Sequence, residues 1–184
     1  MNQEAMIKQD EIAYHEAGHV LIIYILYGNL NFIEHAEIDR VEDDAIDFSC
    51  FGGITRYTLK DLKHLPLPSI MDKLPEIQKY GIDFIIACIL YSGGIAEKLM
   101  SKQDCLNFRS MRKDIEEFDK ICVHEEKEKI ISLAMSFCEK ELDKRRKYLL
   151  GIAEGLKKVI RCYSLKLVFR EELEQIIEKY GKLK

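Results

Sequence analysis

Between residues 12 and 28 the chain reads IAYHEAGHVLIIYILYG, an apolar run broken near its start by His15, Glu16 and His19. Past His19 the run is apolar on nearly every side, the pattern of a helix buried on most of its faces. Asp10 has the side chain of an N-cap and Gly28 that of a C′ residue, which sets the expected helix at 11–27. Residues 32–58, FIEHAEIDRVEDDAIDFSCFGGITRYT, are rich in β-branched and aromatic side chains with partial alternation, and predict two or three short strands. All three prolines fall at 66, 68 and 75, so 63–75 is expected to be a loop. Beyond it, IQKYGIDFIIACILYSGGIAEKLM, SMRKDIEEFDKICVHEEKEKIISLAMSFCEKEL, RKYLLGIAEGLKKVI and FREELEQIIEKYG all carry helical periodicity. The pattern therefore predicts one α+β domain over 1–184, mostly helical. A first helix and small sheet (1–62) and the proline-rich loop (63–75) lead into a helical part (76–184).

Composition narrows the classes of partner. The chain has 184 residues, long enough to bury a core without disulfide or metal staples. Its 28 basic and 32 acidic side chains give a net charge of -4. Nucleic-acid binding requires a clustered cationic face, and the one basic run, KRRK at 144–147, follows Glu139, Glu141 and Asp143 and reads as solvated helix surface. Six cysteines at 50, 88, 105, 122, 138 and 162 form no C-x-x-C pair, as expected of reduced, buried thiols in a cytoplasmic protein. The apolar runs VLIIYIL at 20–26 and FIIACIL at 84–90 are shorter than the about 20 residues of a membrane span. No nucleic-acid partner and no membrane span are expected.

Chemistry concentrates in His15, Glu16 and His19. Residues four apart stack on one helix face, so the two imidazoles can aim at one point. Zinc suits that point, since it takes neutral imidazole and in catalytic sites keeps one position for water. Glu16 is turned about a hundred degrees from His15 and reaches the water side of such an ion, the H-E-x-x-H arrangement of metal-dependent peptidases. The plain alternative is a pair of core histidines beside a solvated stripe.

A third ligand must come from elsewhere. Ile22 and Ile25 stand where the metzincin pattern requires glycine and histidine. The remaining candidates are His35, His64, His124, Glu34, Glu37, Glu97, Asp104 and Asp114. Asp114 lies within the apolar stripe of Met111, Ile115, Phe118 and Ile121. A carboxylate directed at a core costs several kcal/mol, on the order of the desolvation of any unpaired polar group, unless it is paired or binds a cation. Ligation and a salt bridge both meet that requirement. The three other histidines fall in strand, loop and exposed-helix settings and are expected at the surface.

HEAGH, then GGITRYT, then LYSGGIAEKL, then RKDIEEFDKI together resemble, in order, the peptidase domain of the FtsH-type ATP-dependent zinc metalloproteases. The resemblance runs from about residue 10 to 177 and implies a zincin-like fold, with a small sheet beside the HEAGH helix and a C-terminal helical bundle. It implies one Zn2+ held by His15, His19 and Asp114, Glu16 as catalytic base, and Glu97 as a partner behind a ligand. Gly52, Gly53 and Ile54 fall where the family places the strand beside its cleft, and an extended polypeptide substrate could pair there.

The departures shape the expectation. No G-x-x-x-x-G-K-[ST] occurs in the sequence, and the family's membrane anchor has no counterpart, so flexible or unfolded polypeptides are the expected substrates. A separate ATPase partner would extend that range, and the resemblance also implies a homo-oligomer. Arg112 and Lys113 replace the family's small residue and asparagine before the aspartate. The expected activity is a zinc metalloendopeptidase; the alternative is an idle zinc-containing peptide-binding or scaffold domain. Iron sites fit less well, for a second E-x-x-H is lacking and the nearest approximation is Asp61 to His64.

Overall fold

The computed structural model describes residues 3–38, 53–57, 62–68, 74–101, 104–163 and 167–179. They form α1 (Gln3–Tyr27), β1 (Ile33–Ile38), β2 (Gly53–Tyr57), a 3-10 turn (Leu62–His64), α2 (Pro75–Tyr80), α3 (Ile82–Ser101), α4 (Arg112–Ile121), α5 (Lys127–Lys144), α6 (Arg146–Tyr163), β3 (Leu167–Phe169) and α7 (Arg170–Lys179). The protein is thus mostly helical with a small sheet, as the pattern along the chain predicts.

Two helices make the centre. α1 packs along α3 and α6, while α3 packs on its other side against α5. Much of their contact is apolar: Ala13, Ala17, Val20, Leu21 and Ile22 of α1 and Phe84 to Ile89 of α3 are buried, with His15, His19, Ser92 and Glu97 as the buried polar exceptions. Close approach of the pair depends on Gly18, where a Cβ would stand 2.5 Å from the Ser92 carbonyl oxygen and 2.7 Å from Ala96 Cβ. By length and composition α3 could cross a membrane, more than its seven-residue apolar core suggests, yet 78% of its apolar window is buried inside the protein.

The sheet lies against α1 in the order β2-β1-β3, antiparallel throughout. Ala36 on β1 is the register mark, opposite Thr55 on one side and Val168 on the other. Ala36, Thr55 and Val168 are all buried, so this row is the sheet's covered face.

Several boundaries differ from those expected. α1 begins at Gln3, so Asp10 is mid-helix and not a cap; its Oδ1 accepts from Lys157 Nζ at 2.9 Å, tying α1 to α6. Pro75 opens α2 instead of closing a loop, since proline suits the first helical turn. The expected helix through residue 81 is broken there, with Gly81 at φ 56, a conformation glycine adopts without strain. The periodicity over 110–142 belongs to two helices, because the chain turns extended at Cys122. β3 was not foreseen and makes the C-terminal part more than helical: three residues carry too little alternation to register as a strand. KRRK spans the α5 to α6 turn, with Lys144 and Arg145 paired to Glu141 and Arg146 to Asp143. Cys88, Cys122 and Cys138 are buried free thiols, whereas Cys105 is exposed. His35, expected at the surface, is buried on β1; His64 is exposed, and half-buried His124 packs against Tyr80.

Candidate metal centre

α1 places His15, Glu16 and His19 side by side, all buried, with one ligand atom from each within 4.8 Å of the others. Such a group can hold a metal ion. α4 brings a fourth group to the same place. Asp114 Oδ2 lies 3.1 Å from His15 Nε2 and 3.8 Å from His19 Nε2. Ligands bonded at about 2.0–2.1 Å in a tetrahedron stand about 3.3 Å apart, which the two imidazole-to-carboxylate separations bracket. Asp114 sits in the first turn of α4, where the helix dipole favours a negative charge. Met111, Phe118 and Ile121 bury the same helix face, and that stripe turns the aspartate inward.

One imidazole is hydrogen-bonded from behind and the other has a carboxylate behind it. His19 Nδ1 lies 2.7 Å from the Ile89 carbonyl oxygen, a bond that requires the proton on Nδ1 and leaves the Nε2 lone pair toward Asp114. His15 Nδ1 faces Glu97 Oε2 at 3.5 Å, an ionic neighbour without hydrogen-bond alignment. A histidine whose outer nitrogen meets a carbonyl or carboxylate has the usual orientation of a metal ligand, and here both inner nitrogens face Asp114.

Room for an ion is provided by a missing side chain. At Gly93 on α3 a Cβ would lie 2.5 Å from His15 Nε2 and 2.6 Å from His19 Nε2. These residues therefore fit a divalent cation: a nitrogen and oxygen donor set, converging atoms, oriented imidazoles, and a cradle kept open by glycine.

Electrostatics without a cation show what the carboxylates otherwise do. Burial pushes His15 down, but the hydrogen bond to Asp114 and the Glu97 carboxylate outweigh it and set its pKa at about 10. Asp114 is raised by burial and lowered more by the charge of His19, the bond to His15 and Lys113. Glu97 is likewise raised by burial and lowered more by His15, Ser110 and Asn107. Glu16 goes the other way: burial raises its carboxyl and Asp114 adds to this, against the histidines and a hydrogen bond from Thr55.

Thr55 is a site residue that the sequence reading missed. Its Oγ1 donates to Glu16 Oε2 at 2.6 Å from β2. Strand alternation puts Thr55 on one face of GGITRYT, but nothing in the sequence says that this face meets α1. Gly93, Asn107 and Ser110 were also missed, since their roles rest on proximity to α1 and Glu97. Of the expected substrate residues, Gly53 and Ile54 pair through the backbone with Ile38 and Glu37 on β1; Gly52 lies outside the described residues. Asp104 is exposed on the loop after α3, and Glu34 is exposed on β1. Compared with known protein families and with curated proteins, the chain matches none.

Proposed function

We propose that the protein is a zinc-dependent metalloendopeptidase of zincin-like fold, similar to the FtsH-type peptidase domain and acting on flexible or unfolded polypeptides. The observation that carries this reading is the convergence of His15 Nε2, His19 Nε2 and Asp114 Oδ2, with the Glu16 carboxylate one residue along the same helix. His15, His19 and Asp114 would hold Zn2+, which as a Lewis acid brings the pKa of water toward 7 and polarises a carbonyl.

The protein's own groups supply the rest. Glu16 is a buried carboxylate whose proton affinity is raised, as suits a base that must take a proton from water and release it to a departing amine. Thr55 holds one of its oxygens, Oε2, leaving Oε1 for the transfer. Among the described residues β2, whose Thr55 bonds Glu16, pairs with β1 alone, so its other edge suits an extended substrate strand. A purely structural ion needs no base, which favours the enzyme over the scaffold reading.

Glu16→Gln tests the assignment, since it keeps the shape and removes the base. The variant is expected to bind zinc as the wild type does and to lose about 10²–10⁴-fold in the rate of casein digestion. Digestion at the wild-type rate would refute the role of Glu16. Chelator-sensitive zinc binding by the wild type, with no digestion of casein, favours the scaffold reading.

A further inference from the structure

Among the described residues the loop between α3 and α4 brings no ligand to the site, yet two of its side chains reach back to it. Asn107 Nδ2 donates to Glu97 Oε1 at 2.9 Å, and Ser110 Oγ lies 2.7 Å from Glu97 Oε2. Ser110 has one hydroxyl proton, and the Asn107 carbonyl oxygen at 2.8 Å competes for it; the ionised carboxylate is the stronger acceptor. Both oxygens of a buried carboxylate are thereby fixed. That same Glu97 Oε2 is the atom 3.5 Å behind His15 Nδ1.

The contacts close into a ring. Glu97 on α3 holds the loop through Asn107 and Ser110, and the loop runs directly into α4. Asp114 follows Ser110 by four residues and meets His15 Nε2 at 3.1 Å; His15 Nδ1 returns to Glu97. Asn107 Oδ1 also accepts from the backbone N–H groups of Arg109 and Ser110 at 3.2 and 3.4 Å, shaping the turn that starts α4. One pair of donors thus controls two things: where the carboxylate behind His15 stands and where the helix bearing Asp114 begins.

We propose that Asn107 and Ser110 are positioning residues of the metal centre, setting its affinity by locking Glu97 behind His15 and Asp114 in front of it. The proposal rests on the metal-binding part of the reading above and not on peptidase activity. Without these donors Glu97 loses the bonds that hold it in place, and the loop leading into α4 loses its hydrogen bonds to α3. Partners behind a metal ligand typically govern affinity by about 10–100-fold.

The test compares wild type with Asn107→Ala/Ser110→Ala and with Ser110→Thr, which keeps the hydroxyl. Zinc affinity is read by competition with a chromophoric chelator, and site geometry by the visible absorption of the Co2+-loaded protein. Expected are about 10–100-fold weaker zinc binding and an altered Co2+ spectrum in the double variant, with near wild-type values in Ser110→Thr. A plain loop clamp would lower the unfolding midpoint of the metal-free protein and leave both metal readouts unchanged; that pattern overturns the proposal. Should the double variant fail to fold, Glu97→Gln takes its place, and wild-type affinity in it overturns the proposal equally. Wild-type protein that binds no zinc overturns this inference together with the metal reading, whereas zinc binding without casein cleavage overturns the peptidase reading alone.

Discussion

Two regions of the molecule bring acids and bases together at similar distances with opposite consequences. At the turn from α5 to α6, Arg146 meets Asp143 at 2.6 Å with both side chains about half exposed. At the junction of α1, α3 and α4, His15 meets Asp114 at 3.1 Å with the histidine 10% and the aspartate 20% exposed. Water screens the first pair, and such surface pairs contribute about 0–1 kcal/mol. In the second the dehydrated groups depend on each other, and their ionic neighbours His19 and Glu97 are held in turn by the Ile89 carbonyl, the Ser110 hydroxyl and the Asn107 amide. The difference teaches that burial, not pairing, separates a site from a decorated surface.

The comparison breaks most severely if ligands can be removed at no cost. Asp114→Asn and His19→Ala should each weaken zinc binding by more than the ~100-fold upper range seen for partners behind a ligand, and should abolish casein digestion. Zinc titration against a chelator checks this, and retention of wild-type affinity would place the ion elsewhere. Next comes Gly93→Ala, whose methyl would occupy the space between the two Nε2 atoms. Overpacking costs about 1–3 kcal/mol, and here it should also expel the metal, so that added zinc no longer raises the thermal midpoint.

Two effects of pH sharpen the contrast. In metal-free protein His15 titrates at about 10 against an ordinary 6.5, so folding binds its proton more tightly. The resulting stabilisation is complete below pH 6.5 and is lost as pH rises through 10. Thermal unfolding of chelator-treated protein should show that decline, and a His15→Gln variant should lack it. Thr55→Val removes a bond that favours ionised Glu16; the acid limb of the digestion profile should therefore move to higher pH, and an unmoved limb would detach Thr55 from the base. The smallest effect belongs to the surface: Asp143→Asn should change stability by about 0.2–1 kcal/mol in urea unfolding and leave zinc affinity unaltered.

What the sequence disclosed followed from periodicity. The buried character of α1 and α3, the strands at 33–38 and 53–57, and the inward position of Asp114 among Met111, Phe118 and Ile121 are all carried by local pattern. Features that depend on which faces meet were illegible. Thr55 reads as an ordinary strand residue until β2 is laid against α1, and Gly93 reads as a flexible residue until the imidazoles stand beside it. β3 becomes a strand because β1 offers it an edge, not because Leu167 to Phe169 demand one. Asp10 looks like a cap by type, and only the continuation of α1 to Gln3 shows its true partner in Lys157.

The most direct measurement is X-ray absorption at the zinc edge of purified protein loaded with one equivalent of Zn2+. Two imidazole nitrogens at about 2.0–2.1 Å, with oxygen completing the shell and no sulfur, are expected, and the Asp114→Asn spectrum should differ. A sulfur shell at about 2.3 Å, fewer than two imidazoles, or a spectrum indifferent to Asp114 would contradict the account.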